Sequence, residues 1–430
     1  MKKRKTILLT GSCLLAALLP ALLPLLRGHL PWRADGLLHF YRLAQLDRAV
    51  AHGLLYPRWL PDLGFGFGFP LFNYYAPFSY YVVLPLTRLG IPVETAVRVS
   101  YILALLLLAG GLYWWAARLF GREAGVVAAL TAVYAPYLLF DVHHRGVLPE
   151  VWGLAWLALA LAALHWLWSP RPGPAGPGLL ALSYAGLLLS HNILALVGTP
   201  LLLGYLLFLW WSTPQPPTPI PQPPTPIPQS LLALLLGLGL SAFFWLPAFF
   251  ERDLVQIHKL YDSANFYYGN HFLAWNDLLA LPQTADPAQV NPAIPFAFGL
   301  LPLLLAVLNL LPGDRDRSAN AHRLALALLV GLFSLLMLPL SLPAWDRLPL
   351  VEFIQFPWRL LGPATLLLAA LAGAGIARLP QRWRGPGAVV GSGAMLLLAL
   401  PWLFPGSIER LADPTPLDVI GHEIETGALG

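Results

Sequence analysis

Apolar runs of about 20 residues recur along this chain, and they restrict its possible folds more than any other feature. Hydrophobic residues fill 57% of the 430 positions and charged residues only 11%, which excludes a large soluble core. In a bilayer every backbone polar group needs an internal partner, and a run of this length satisfies that need as a helix. The sequence therefore predicts an all-α, polytopic integral membrane protein, a bundle of about eleven helical spans.

The basic residues predict how these spans are oriented. The chain begins Met-Lys-Lys-Arg-Lys before its first apolar run, which favours an uncleaved first span with a cytoplasmic N-terminus. Alternating the later runs places half of the 26 Lys and Arg residues, but only three of the 21 acids, in short cytoplasmic pieces, with the C-terminus outside. This orientation depends on residues 74–89, which Pro77 and Pro85 interrupt. We interpret them as a juxtamembrane or re-entrant segment and not as a span.

The predicted organisation has two membrane modules joined by a proline-rich linker. The segments are an N-terminal module at 1–211 with outer loops at 27–94 and 141–150, a cytoplasmic linker at 212–229, a second module at 230–404 with outer loops at 247–292 and 343–359, and an external tail at 405–430. In the linker Pro-Gln-Pro-Pro-Thr-Pro-Ile occurs twice, which favours an extended spacer over a ligand for a proline-binding module.

The first outer loop carries a concentration of polar side chains. Asp35 and His39 are four residues apart, so on a helix they share one face, with Arg42 close by. Charged groups at a membrane boundary are functional candidates, although Asp35 could also serve as a helix cap. The loop also holds Arg58 and the run Gly64-Phe-Gly-Phe-Gly-Phe-Pro70. That run is either an apolar wall that lets a ligand approach the backbone or an irregular loop in the headgroup zone.

A second outer cluster reads Asp141-Val-His-His-Arg-Gly-Val-Leu-Pro-Glu150. Asp141 and His143 could reach one divalent cation, such as Mg²⁺ or Mn²⁺. The helix dipole favours Glu150 at the start of the next span, but it does not account for His143, His144 and Arg145 beside it. We therefore predict a functional role for this cluster.

Three further candidates fall on the same predicted membrane face, namely His191, Glu251 and Arg359. Each alone suits interfacial anchoring or a local ion pair, and their convergence on one face makes them candidates. The sequence contains no phosphate-binding glycine loop, no Cys/His zinc pattern and no serine-nucleophile elbow, and nothing in it suggests nucleic acid. A lipid-linked or external substrate is expected, because no predicted cytoplasmic loop is large enough to bind a nucleotide.

Short motifs along most of the chain resemble two related groups of proteins. They are Ala34-Asp-Gly-Leu-Leu-His39, Tyr56-Pro-Arg-Trp59, Gly68-Phe-Pro70 with Tyr74-Tyr-Ala-Pro77, Arg145-Gly with Glu150, and Phe356-Pro-Trp-Arg359. They resemble bacterial membrane proteins labelled "6-pyruvoyl-tetrahydropterin synthase-related", a label that no soluble pterin-enzyme pattern here supports. The order of first span, Asp35, the basic turn Arg118-Leu-Phe-Gly-Arg122 and a second acidic motif resembles the GT-C membrane glycosyltransferases.

The GT-C resemblance implies transfer of a sugar from a polyprenyl-phosphate carrier to a glycan, lipid or protein acceptor on the outer face of a bacterial plasma membrane. It implies Asp35 as general base, with inversion of the anomeric centre. Asp141 and His143 match the second acidic motif, but Asp-Val-His replaces Asp-x-Asp, which puts metal binding in doubt. The expected donor or acceptor contacts are His39, Arg42, Arg58, His143, His144, Arg145, Glu150, His191, Glu251 and Arg359. The alternative is a transporter or flippase of lipid-linked saccharides, which would place charged residues deep within the spans.

Overall fold

A computed structural model describes most of the chain. The described residues are 2–28, 30, 35–169, 172–213, 226–256, 259, 264–281, 295–312, 316–403 and 412–427, with side chains from residue 10 onward. Residues 214–225, which make up most of the proline repeat of the predicted linker, lie outside them. The division of the chain into two modules stays a prediction.

The first half of the chain folds into helices and one short π-helical segment. They are α1 (Lys2–Leu26), α2 (Gly36–Ala51), α3 (Leu71–Tyr74), α4 (Phe78–Tyr81), α5 (Leu84–Arg88), α6 (Val93–Phe120), α7 (Arg122–Val133), α8 (Pro136–Phe140), the π-helix Asp141–Arg145, α9 (Leu148–Leu167), α10 (Gly176–Ser190) and α11 (Asn192–Ser212).

The second half continues in the same manner. Its helices are α12 (Ile227–Leu240), α13 (Ala242–Phe250), α14 (Trp275–Leu279), α15 (Leu300–Val307), α16 (Arg317–Leu336), α17 (Leu342–Trp345), α18 (Leu361–Ile376), α19 (Gln381–Leu403) and α20 (Pro416–Thr426). The described residues contain no β-strand, only an isolated antiparallel bridge between Leu60 and Phe69, so the predicted all-α class is confirmed.

Each of the eleven predicted apolar runs has a helical counterpart. Among the described residues, six helices are long and apolar enough to cross a membrane, or up to eight if each of two bent pairs is one span. The bent pairs are α7 with the segment Pro136–Arg145, at 46°, and α12 with α13, at 68°. Shorter apolar helices cover Thr10–Leu26, Gly176–Ser190 and Leu300–Leu310. The number of these helices that cross the bilayer stays a prediction.

The first outer loop is built from short helices, as predicted. The proline-interrupted segment forms α4 and α5, and neither is long enough to span a bilayer. Helix α2 is amphipathic and buries Phe40, Leu43 and Leu46 against the bundle. Juxtamembrane helices of this kind hold the polar residues of the loop against the ends of the spans.

Helix α18 forms the centre of the bundle, and every residue from Leu361 to Ile376 is buried. Its glycines allow close backbone contact, because a Cβ on Gly373 would lie 2.3 Å from the carbonyl oxygen of Ala124 in α7. Small residues are the usual means by which membrane helices approach one another. Helices α16 and α19, in contrast, keep exposed leucine and valine faces that suit contact with lipid.

The predicted outer segments meet at one end of the bundle. The backbone N–H of Asp35 donates to the carbonyl of Arg145, and the side-chain amide of Asn192 donates to the carbonyl of Tyr74. We name this end the outer end and the opposite one the inner end, after the predicted orientation. Which end faces the cytoplasm stays a prediction.

The described part of the tail packs on the first outer loop. The Glu423 carboxylate of α20 accepts hydrogen bonds from the backbone N–H groups of Gly64 (3.2 Å) and Phe65 (2.6 Å). Gly64, Gly66 and Gly68 all have positive φ, and Phe65 joins them at φ 58°. The glycine–phenylalanine run is therefore an irregular turn clamped by α20, with Phe67 exposed at its tip.

Candidate functional site

A distorted helix end supplies the central charge of the site. Residues Asp141–Arg145 form a π-helix that ends at Gly146, which has φ +75°. The N–H groups of Gly146 and Val147 both donate to the carbonyl of Asp141, at 2.9 Å each. Glycine suits this left-handed position, because other residues adopt it only with strain. Single π-turns occur frequently at functional sites, and this one places Arg145 beside Asp35 at the start of α2.

Asp35 occupies the cap position of α2, but its side chain makes no capping hydrogen bond. Its backbone N–H donates to the Arg145 carbonyl at 3.0 Å, and its Oδ2 lies 3.5 Å from Arg145 Nε. The Asp35 side chain remains 41% exposed. The carboxylate is therefore fixed beside a cation and still accessible from outside, which helix capping alone does not explain.

Arg145 contacts two more carboxylates, both buried. Asp141 Oδ1 and Glu150 Oε2 each lie 3.5 Å from Arg145 Nη1, and these side chains are 0% and 1% exposed. Glu150 Oε1 accepts a hydrogen bond from the Tyr137 hydroxyl at 2.6 Å. Buried carboxylates need a nearby positive charge, and Arg145 provides one to all three acids.

The three carboxylates do not fit a divalent cation. Among the described residues, no group of three or more His, Cys, Asp or Glu side chains is arranged to hold a metal ion. The space that these acids share holds the Arg145 guanidinium. Because Mg²⁺ demands oxygen ligands at about 2.0–2.1 Å, it could not share that space with the guanidinium. Binding of a metal by Asp141 and His143 stays a prediction.

A second guanidinium lies beside the first, on the aromatic motif before α18. The Trp358 ring centre is 5.2 Å from the Arg145 guanidinium carbon and 5.9 Å from that of Arg359. Arg359 Nη1 donates to the Ile354 carbonyl and to Gln355 Oε1, both at 2.9 Å. No described carboxylate lies within ion-pair distance of Arg359. Both guanidinium groups thus contact one indole, and two cations close together form a favourable position for an anion.

Trp358 is only 6% exposed, so it packs within the site and not in an exposed aromatic belt. Gln355, at the start of the same turn, has φ +63°. A left-handed conformation in a residue other than glycine is strained, and such strain is concentrated at functional sites.

His39 and Arg42 point from α2 into a group of buried tyrosines. His39 Nδ1 lies 2.7 Å from the Tyr80 hydroxyl, and the Arg42 guanidinium carbon lies 4.3 Å from the Tyr75 ring centre. Burial lowers the pKa of His39 well below its usual value, and the charges of Arg42 and Arg145 add to this effect. His39 is therefore neutral at physiological pH, and its contact with Tyr80 holds α2 against the first outer loop.

His191 faces the same cations from the start of α11. Its Nδ1 accepts a hydrogen bond from the backbone N–H of Leu194 at 3.1 Å. Burial, followed by the charges of Arg359 and Arg145, lowers the pKa of His191 to about 3. The neutral ring with Nδ1 as acceptor carries its proton on Nε2, so His191 can donate one hydrogen bond.

The other predicted histidines lie deeper. His144 Nε2 is 3.1 Å from the carbonyl of Trp402 in α19, and its ring stacks on Phe140. Since a carbonyl only accepts, Nε2–H is the donor. His143 is buried at 1% exposure. For both, contact with a donor phosphate stays a prediction.

Arg58 and Glu251 form a separate network. Arg58 Nη1 donates to Glu251 Oε1, and the Asn73 amide donates to Glu251 Oε2, both at 2.9 Å. The hydrogen bond from Arg58, followed by that from Asn73, lowers the pKa of the Glu251 carboxyl. None of the described contacts joins this network to Arg145. It ties the first outer loop to the end of α13.

Sequence reasoning assigned no role to several residues of the site. Tyr137 lies four residues before Asp141, and Trp358 directly precedes Arg359. Tyr101 of α6 is fully buried, and its hydroxyl has no hydrogen-bond partner among the described residues. Spacing could have revealed Tyr137, because residues four apart share a helix face. Nothing in the sequence indicated Tyr101.

The fold and the site define a multi-pass helical membrane protein with a charged site at one end, between its first outer loop and a distorted helix end. The family model described as "6-pyruvoyl-tetrahydropterin synthase related domain; membrane protein" matches residues 72–405. The chain belongs to this family, as its motifs predicted. No curated protein matches it.

Two solved structures share the fold. The arabinofuranosyltransferase AftD from Mycobacteria (mutant R1389S) is 18% identical with a TM-score of 0.52 over 91% of this chain. ArnT from Cupriavidus metallidurans, bound to undecaprenyl phosphate, is 18% identical with a TM-score of 0.51 over 90% of this chain. The matches span 27% of AftD and 62% of ArnT. The likeness establishes the fold that the GT-C resemblance predicted.

Proposed function

We propose that this protein transfers a sugar from a polyprenyl-phosphate-linked donor to an acceptor hydroxyl at the outer end, with Asp35 as the general base. The observation that carries the proposal is the placement of Asp35. Its carboxylate is accessible, makes no capping hydrogen bond and lies beside Arg145. The fold supports it, since one structure with this fold is an arabinofuranosyltransferase and another holds undecaprenyl phosphate.

Asp35 suits the role of base because it can approach a hydroxyl without movement of the backbone. In the proposed step Asp35 removes the acceptor proton, and the acceptor oxygen attacks the anomeric carbon. The bond from that carbon to the phosphate oxygen breaks, and the phosphate leaves with the electron pair. Asp35 retains the proton until solvent removes it.

The exposure of the three carboxylates favours inversion. A retaining enzyme needs a second carboxylate as nucleophile, about 5–5.5 Å from the first and in reach of the sugar. Asp141 and Glu150 are 0% and 1% exposed and contact Arg145, so neither is presented to a substrate. A single displacement with Asp35 as base uses only the accessible acid.

The cationic side of the site suits the donor phosphate. Arg359 has no ion-pair partner among the described carboxylates, and it shares Trp358 with Arg145. A guanidinium binds phosphate through parallel hydrogen bonds, and His191 Nε2 can add a third donor. Phosphate is a competent leaving group, so the step needs no dedicated acid.

The test is transfer of radiolabelled sugar from polyprenyl-phosphate donors by the purified protein. Asp35→Asn should lower transfer by about 10²–10⁴-fold, the usual contribution of a general base. Asp47→Asn is the matched control, because Asp47 lies on the same helix and pairs with Thr87 and Arg88. Transfer by folded Asp35→Asn protein at the wild-type rate would refute the assignment. Protection of the outer loop by a lipid-linked saccharide without any transfer would favour transport.

A further inference from the structure

We infer that Arg145 is the permanent counter-ion of the three-carboxylate cluster and takes the place of a divalent cation, so that this site works without a metal. The inference rests on the proposed function for its reaction, but its geometry and its principal test do not depend on sugar transfer. It assigns to Arg145 the charge neutralisation that Mg²⁺ or Mn²⁺ supplies in sites built from acids.

The first step of the argument is the position of the guanidinium. Asp35 approaches Nε, and Asp141 and Glu150 both approach Nη1, each at 3.5 Å. The three carboxylates thus share one positively charged group, two of them at the same nitrogen. A metal ion placed between the same oxygens would overlap the guanidinium, so the two cations exclude each other.

The second step is that Arg145 is held in place. Its backbone carbonyl accepts the Asp35 N–H at 3.0 Å, and its side chain is only 14% exposed. Trp358 covers one face of the guanidinium at 5.2 Å. Departure of this side chain would leave Asp141 and Glu150 buried without their cation. An exposed arginine could swing aside for a metal, but Arg145 is held by its contacts with the three acids and with Trp358.

The third step is what remains available on Arg145 for a substrate. Its Nε and Nη1 face the acids, while no described residue accepts a hydrogen bond from Nη2. Arg359 contacts the same indole. Nη2 and Arg359 can therefore bind the donor phosphate while the rest of Arg145 neutralises the acids, which is how a metal bridges acids and phosphate.

The principal experiment measures Mn²⁺ binding to the purified full-length protein by electron paramagnetic resonance. We expect no stoichiometric binding to the wild type, because the guanidinium fills the space. Arg145→Ala opens that space between three carboxylates and should bind about one Mn²⁺, whereas Asp141→Asn added to Arg145→Ala should abolish it. Arg382→Ala, an exposed arginine at the inner end, is the matched control and should leave binding at the wild-type level.

A second experiment measures transfer after dialysis against EDTA. Wild-type activity should change less than about twofold, and Arg145→Lys should lose about 10²–10³-fold, as when one preorganised donor is removed. If Arg145→Ala does not fold, the transfer measurement on Arg145→Lys still tests the role of the guanidinium. Stoichiometric Mn²⁺ on the wild type that Asp35→Asn removes, or transfer that stops with EDTA and returns with Mg²⁺, would overturn the inference. If no donor supports transfer, the proposed function fails while the Mn²⁺ result still decides this inference.

Discussion

The two ends of the bundle both contain buried polar groups, but they satisfy them in opposite ways. At the outer end Arg145 binds acids from three chain segments, across a π-turn and beside a glutamine with positive φ. At the inner end the Trp115 indole donates to the Tyr205 hydroxyl at 3.0 Å, and that hydroxyl lies 3.2 Å from His165 Nδ1. These three groups are uncharged and come from regular helices, and the buried Arg323 guanidinium at the same end donates to the amide oxygen of Asn320.

This difference distinguishes the candidate site from a packing network. Neutral groups such as Tyr205 and His165 find partners on neighbouring helices without any distortion of the backbone. Buried charges need more, because each carboxylate requires a cation at a defined distance. The irregular backbone at Asp141–Gly146 supplies that cation, and it would have no purpose in a structure that only needed to pack.

Among the changes that test this difference between the two ends, the largest effect is expected at Arg359. Arg359→Ala should raise the KM for the lipid-linked donor by about 10–100-fold, the equivalent of a charge-assisted hydrogen bond. The kcat should fall less, because Asp35 is untouched. Arg347→Ala is the control, since Arg347 is exposed in the same loop and donates only to the Pro343 carbonyl. An unchanged KM would show that the two guanidinium groups at Trp358 do not bind the donor.

Tyr137→Phe tests the charged end. The substitution removes the 2.6 Å hydrogen bond to Glu150 and leaves a buried carboxylate oxygen without its donor. We expect a loss of about 1.5–3 kcal/mol in the free energy of unfolding, together with reduced transfer. Thermal unfolding in detergent beside the transfer assay measures both. Stability equal to the wild type would show that Glu150 does not depend on this hydroxyl.

Tyr205→Phe is the matched change at the neutral end. It removes two neutral hydrogen bonds within the spans, each worth about 0.6 kcal/mol on average in a membrane protein. Transfer should stay at the wild-type rate, because none of the described contacts connects Tyr205 to Arg145. A loss of transfer as large as that of Tyr137→Phe would remove the distinction between the two ends.

The smallest effect is expected at Glu251, outside both clusters. Hydrogen bonds from Arg58 and Asn73 lower the pKa of this carboxyl in the folded protein. Its stabilising contribution is therefore complete above the pKa of an unfolded glutamate and is lost as the pH falls through the lowered folded pKa. The difference in Tm between the wild type and Glu251→Gln should be greatest at neutral pH and shrink in acid. A difference that does not change with pH would contradict this.

The sequence predicted the helices and the face on which the site lies. Apolar runs identify membrane helices reliably, because the bilayer allows few alternatives. Alternating those runs placed Asp35, Arg145 and Glu150 on one side, and the contacts among them confirm that these three meet. The label of the family was also predicted from short motifs, and the family match confirms it.

The positions of groups within that face could not be predicted. The sequence does not show that Arg145 lies between the acids, because a π-turn has no residue signature. Nor does it separate Arg58 and Glu251 from the Arg145 cluster, although all lie at the same end. Lateral distances depend on how loops far apart in the chain pack against one another, and hydrophobic periodicity carries no information about that packing.

The clamp of α20 on the first outer loop has a consequence for the order in which the protein is made. The loop that carries Asp35 leaves the ribosome early, but the carboxylate that binds the N–H groups of Gly64 and Phe65 belongs to Glu423, 359 and 358 residues later in the chain. Asp413, which accepts from the Val93 N–H, follows that residue by 320 positions. Domains generally fold from the N-terminus during synthesis, yet this loop can make these contacts only after α19 and α20 have been synthesised.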